Sequence, residues 1–200
     1  MRRFLFFPLA LALVLGCGGS AGPRPPVAGS QLHFVVQDST APALYADSVG
    51  FYAYFSQDAQ VSLYYRSATG GQGNELLHFQ VPMGTLYKRP NGTAFGPGDS
   101  IWISIVVRDP HKFDFDFQPT GLQFNPAAPA FLRVDYLHSN HDFDGDGLIT
   151  AADTAIEARL DLWKNEAPSP DWYEGGAANV EALEEIESSI YSFTHYAVAW

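Results

Sequence analysis

The chain has 200 residues, with 22 acidic against 11 basic side chains and a net charge of −11. That balance argues against a nucleic-acid binder or a protein held electrostatically on anionic lipid, because either needs a cationic surface. The single cysteine excludes an internal disulfide, so the fold must rest on a hydrophobic core, for which 46% apolar composition is ordinary.

The first segment, MRRFLFFPLALALVLGC, places Arg2 and Arg3 before an apolar run from Phe4 to Leu15, followed by Gly16 and Cys17. A basic start, a short apolar stretch and a small residue before the cut predict a secretory signal over residues 1–16, too short to span a bilayer as a mature helix. Val14-Leu15-Gly16-Cys17 resembles the lipobox of bacterial lipoproteins, in which the signal is removed and the cysteine becomes the lipidated first residue. Gly18 in place of aspartate resembles the outer-membrane sorting pattern. The expectation is therefore a protein joined to a bacterial cell envelope through acylated (palmitate-type) Cys17. Removing Arg2 and Arg3 leaves 9 basic against 22 acidic residues, or −13. Residues 17–30, rich in glycine, proline and serine, predict a flexible tether.

From Gln31 the pattern turns to strands. Leu32, Phe34 and Val36 alternate with His33, Val35 and Gln37, and GFYAYFSQ and VSLYYRS read as neighbouring strands. After the turn SATGGQGN, the set Leu77, Phe79 and Val81 alternates. The turn-rich RPNGTAFGPGDS leads into Ile101, Ile103, Ile105 and Val107 on one face. Phe113, Phe115 and Phe117 alternate with Asp114 and Asp116, and Leu132, Val134 and Tyr136 follow. Short alternating strands at this spacing predict a mainly β chain, a single antiparallel β-sandwich over residues 31–200.

HDFDGDGLITAAD then concentrates like charge in one loop. From residue 142 to 153 it fits the calcium-loop template. Asp142, Asp144 and Asp146 fill positions one, three and five. Gly147 supplies the sharp turn at six, the carbonyl of Leu148 is the ligand at seven, and Ile149 is the apolar anchor at eight. Thr150 acts at nine directly or through water, and Asp153 closes the loop at twelve, where its short side chain resembles dockerin-type loops. Alternate residues of a curling loop point inward, which is what a hard cation requires. Many oxygens in flexible geometry favour Ca2+ over Mg2+. The strand pattern before the loop makes it an insertion between strands rather than half of a paired sensor. TAADTAIEARL after it predicts a short helical turn with Thr150 as cap and Asp153 three residues on. RLDLWKNE returns to alternation.

Three blocks resemble ZU5-like domains: FQVPMGTL at 79–86 is similar to their IPxGAL strand-turn, PTGLQFNPAAPAFLRVDY at 119–136 to their PxGLxFxxPxxLxxxY segment, and FTHYAVAW at 193–200 to the closing strand of bacterial members. The resemblance implies a β-sandwich used in adhesion, scaffolding or display, with no catalytic residues. Ser192 stands where those members usually carry histidine. Val180, Leu183, Ile186 and Ile190 sit at helical spacing, but the resemblance makes the stretch from Ile186 a strand, and that reading is taken.

None of the six histidines lies in a nucleophile elbow, and no HExxH or phosphate loop occurs. Two function classes follow. One is a non-enzymatic, calcium-stabilised surface lipoprotein that binds a protein or glycan ligand or acts as a scaffold. The other is a carbohydrate-binding or enzyme-accessory module. An exposed cluster of Tyr52, Tyr54, Tyr64 or Trp172 points to the second, and aromatics buried in the core point to the first.

Overall fold

The computed structural model describes residues 25–166 and 168–200. The expected signal peptide, Cys17 and the start of the tether lie outside them. The strands are β1 (Val27–Ala28), β2 (Ser48–Tyr54), β3 (Ala59–Arg66), β4 (Gln72–Val81), β5 (Leu86–Lys88), β6 (Ser100–Val107), β7 (Asp114–Gln118), β8 (Gln123–Phe124) and β9 (Ala130–Asp135). Helix α1 (Ala151–Glu157) follows, then β10 (Asp161–Asn165), β11 (Asp171–Glu174), β12 (Ala178–Val180), a single 3-10 turn (Glu181–Leu183), β13 (Glu185–Ile190) and β14 (His195–Ala199).

These form two antiparallel sheets and a small ribbon. The seven-stranded sheet runs β1-β11-β10-β14-β7-β6-β2, the five-stranded sheet β12-β13-β9-β4-β3, and β5 pairs with β8. The expected sandwich is present. Its core is built by strand alternation: Phe115 and Phe117 of β7, Ile103 and Ile105 of β6, Leu77, Phe79 and Val81 of β4, and Leu132 and Val134 of β9 are all fully buried. Phe79 meets Phe117 and Phe193 with ring centroids 5.5 Å apart in each pair, a spacing at which tilted rings attract.

Three expectations are corrected. GFYAYFSQ and VSLYYRS became β2 and β3, but β2 pairs with β6 and β3 with β4, so the chain crosses between sheets instead of closing a hairpin. In residues 31–37 it is Val35 that enters the main core. Leu32 and Phe34 face away, into a second cluster with Trp163, Trp172, Ala197 and Ala199. The tether ends earlier than composition indicated, because Val27 and Ala28 pair with Trp172 and Asp171. This N-terminal segment covers the outer face of the seven-stranded sheet over β10, β11 and β14. The outward side chains of β6 and β2 take no part in the cluster.

The stretch with helical spacing at 178–190 is β12, the 3-10 turn and β13. Six pairs with β9 override the helical spacing. The acidic loop lies between β9 and β10, which belong to different sheets. It therefore occupies a crossover at which the two layers are joined.

Candidate metal centre

The loop enters from the buried end of β9. The amide of Ser139 donates to the carbonyl of Tyr136 at 2.8 Å, and that of Asn140 to the carbonyl of Val36 at 2.9 Å. Phe143 then turns into the main core, edge-on to Trp200 at 5.7 Å and to His141 at 5.7 Å. With Phe143 pinned, its neighbours Asp142 and Asp144 must face the other way, into the loop. Gly145 and Gly147 adopt φ of 75° and 87°, a left-handed conformation that glycine reaches without strain. These two residues curl the chain.

The curl brings the first three aspartates together: a carboxylate oxygen from each of Asp142, Asp144 and Asp146 lies within 4.8 Å of the others. Each carboxylate is partly fixed by backbone. The amide of Gly147 donates to Asp142 Oδ2 at 2.9 Å, that of Asp146 to Asp144 Oδ1 at 3.1 Å, and that of Leu148 to Asp146 Oδ1 at 2.8 Å. Asp142 Oδ1 is buried and makes no hydrogen bond. A buried carboxylate oxygen without a donor carries a desolvation cost, which a cation at that position removes. The set is oxygen-only and hard, which suits a divalent alkaline-earth ion over a transition metal.

Asp153 is placed differently. It is buried, and it accepts from the amide of Asp144 at 3.1 Å, from the amide of Thr150 at 2.8 Å and from the Thr150 hydroxyl at 3.3 Å. The backbone N–H of Thr150, joined by that of Asp144, holds its carboxyl below the usual carboxylate range. Thr150 in turn accepts from the amide of Ala152 at 3.1 Å. The two residues form the capping box expected at the start of α1. Asp153 thus closes the loop through hydrogen bonds, beside the Asp142–Asp144–Asp146 cluster and not within it.

Leu148 and Ile149 are 65% and 74% exposed. Ile149 is therefore not the anchor that the template assigns to position eight. Phe143 takes over the anchoring. Past the helix, Tyr136 donates through one hydroxyl, placed 3.2 Å from Glu157 Oε1 and 3.0 Å from Asn179 Oδ1, while the Asn179 amide donates to the Glu157 carbonyl at 2.5 Å. These bonds fasten α1 to Tyr136, just past β9, and to β12.

Five of the histidines have structural neighbours. His33 stacks on Trp200, the His78 ring meets the Ser62 hydroxyl, His138 packs edge-on to Tyr65, and His141 approaches Glu184 at 3.7 Å. Sequence reasoning missed that His195 pairs with Asp114, with Arg108 2.7 Å from the same ring. The pairing depends on β14 lying beside β7, and no local pattern carries it. Of the four aromatics weighed for a surface platform, Trp172 is buried and Tyr64 half-buried, while Tyr52 and Tyr54 are exposed.

Comparison with family models, with curated proteins and with solved structures finds no match.

Proposed function

We propose that this chain is a non-enzymatic, calcium-stabilised binding or scaffolding module, tethered through lipidated Cys17 to the outer membrane of a bacterial cell. The observations that carry the calcium part are the cluster of Asp142, Asp144 and Asp146 and, in the same residue set, the buried, unpartnered Oδ1 of Asp142. The backbone already fixes one oxygen of each carboxylate, and one oxygen from each lies within 4.8 Å of the others. Leu148 offers its carbonyl next in the loop, and Thr150 and Asp153 rigidify the exit. The ZU5-like assignment rests on the three sequence blocks. The non-enzymatic reading is supported by His33, His78, His141 and His195, which are engaged in packing, ion pairs and hydrogen bonds.

Titration calorimetry of the full chain with calcium tests the site. Wild type is expected to bind one ion, and Asp142→Ala to lose binding while keeping its β-rich circular dichroism. Equal heats from both proteins, or none from either, would falsify the metal assignment. Anchoring is tested separately by metabolic labelling with a palmitate analogue: label on wild type and none on Cys17→Ser is expected, whereas label on both removes Cys17 from the reading.

A further inference from the structure

We propose that the outer face of β2 and β6 is a stacking platform for an uncharged pyranose, with Trp102 as its floor and Tyr52 as its wall. Trp102 is 50% exposed, Tyr52 54% and Tyr54 41%. Tyr52 and Trp102 are direct cross-strand partners, their rings 5.0 Å apart and inclined at 71°, and Tyr54 continues the row at 6.4 Å from Tyr52.

The floor depends on a missing side chain. A Cβ placed on Gly50 would lie 2.3 Å from the Trp102 ring, closer than atoms can approach. The indole therefore lies against the bare strand backbone at Gly50 while the residue stays half exposed to solvent. Alanine at position 50 would lift it. Glycine weakens a strand interior, so its presence beneath an exposed tryptophan marks a position where ring orientation matters.

The surroundings select the ligand. The outward residues of β2 and β6 are Ser48, Gly50, Tyr52, Tyr54, Ser100, Trp102, Ser104 and Val106, none of them charged in a chain of net charge −11. The charges at its borders are already engaged: Arg89 pairs with Asp99 and donates to the Ser100 carbonyl, and Asp116, opposite Val106, accepts from Gln118. A neutral sugar presents a face of polarised C–H bonds to the negative π-face of a ring, and hydroxyls at its rim. The register supplies a rim partner, since Ser104 lies opposite Gly50. Three half-exposed rings offer on the order of 300 Å² of contact. A stable protein interface needs roughly 800 Å² per partner, so the patch is sized for one or two sugar rings instead of a second copy.

This inference deepens the binding-module reading and rests on it, but it is independent of the calcium loop. The test is retention of the full chain, in detergent, on cellulose, chitin and amylose. Wild type, Trp102→Ala, Tyr52→Ala and Tyr191→Ala are compared, the last removing an exposed tyrosine elsewhere. Melting curves establish that each variant is folded. Retention by at least one polysaccharide is expected, competed by its soluble oligosaccharide. The Trp102 and Tyr52 variants are expected to be weakened about tenfold or more and Tyr191→Ala unchanged. Retention of all four proteins alike, or of none on any support, overturns the platform. So does retention by uncharged lipid vesicles in place of sugar, or self-association that Trp102→Ala abolishes. Calcium binding that survives such a failure leaves the metal reading intact.

Discussion

Phe143 and Ile149 show how residue-scale roles follow from packing. Phe143 is buried against Trp200, and Ile149 points to solvent. Phe143→Ala is expected to cost about 3 kcal/mol, and Ile149→Ser less than about 0.5 kcal/mol. Urea unfolding of both variants checks this, and a larger loss from Ile149→Ser restores it as the anchor. The convergence of Asp142, Asp144 and Asp146 was legible, because their spacing is local. The anchor was not, because Phe143 is buried by a residue at the far end of the chain. Asp161 offers a pH-dependent case. It is buried at the start of β10, its Oδ1 accepting from the amides of Leu162 at 2.6 Å and Ala177 at 2.7 Å. Burial pushes its carboxyl up to about 6 against those amides, and Glu174 adds to the rise. An acid whose folded value lies above the unfolded 3.8 favours the native state while protonated. Its contribution is complete below about pH 4 and is lost as pH rises through about 6. Asp161→Asn stays neutral and still offers an acceptor. The stability difference is expected to move in the variant's favour between those values, by about 1 to 2 kcal/mol. Parallel stability-versus-pH curves would show that Asp161 ionises without cost.

At the scale of elements, period-two alternation located the strands well. It set the inward faces of β4, β6, β7 and β9 with few exceptions, because a strand between core and solvent has no other way to segregate its side chains. The pattern does not say which strands pair. β2 and β3 are consecutive yet lie in different sheets, and the first and last described segments meet: Phe34 bridges Ala199. At 178–190 a helical period lost to six pairs with β9, a case of tertiary pairing overriding local preference. β14 tests the weight of non-local pairing. It lies inside the seven-stranded sheet between β10 and β7 and buries Tyr196, Ala197, Val198 and Ala199. Deleting residues 193–200 removes Phe193 as well, and large apolar side chains contribute roughly 1.5 to 3 kcal/mol each when fully buried. The loss rivals the whole stability of an ordinary domain, about 5 to 15 kcal/mol. The truncated chain is expected to be insoluble or molten. A monomeric truncation with an unchanged melting temperature would reduce β14 to a dispensable tail.

For the whole molecule, the loop matters because of where it sits. It carries the chain from β9 in one sheet to β10 in the other, and α1 is bonded through Glu157 to Tyr136 and Asn179. Ordering the loop fixes the crossover between the layers. In a chain of net charge −11, crowding Asp142, Asp144 and Asp146 raises the cost of that ordering, and a bound divalent ion reverses the sign of the local electrostatic energy. An ion that binds only the folded state stabilises it by mass action, about 2.7 kcal/mol at a hundredfold excess over the dissociation constant. Each further tenfold excess adds about 1.4 kcal/mol. For a chain of this size, 1 kcal/mol moves the melting temperature by about 2 to 4 °C. A hundredfold excess of calcium over the dissociation constant is therefore expected to raise it by about 5 to 10 °C relative to chelator. Asp142→Ala removes the buried oxygen, so its melting temperature is expected to be the same in calcium and in chelator while the β-sheet signal persists. The measurement is thermal melting of the full chain and of the variant at several calcium concentrations. A wild-type melting temperature that does not move with calcium would leave the three aspartates as a solvated acidic turn on an otherwise self-sufficient sandwich.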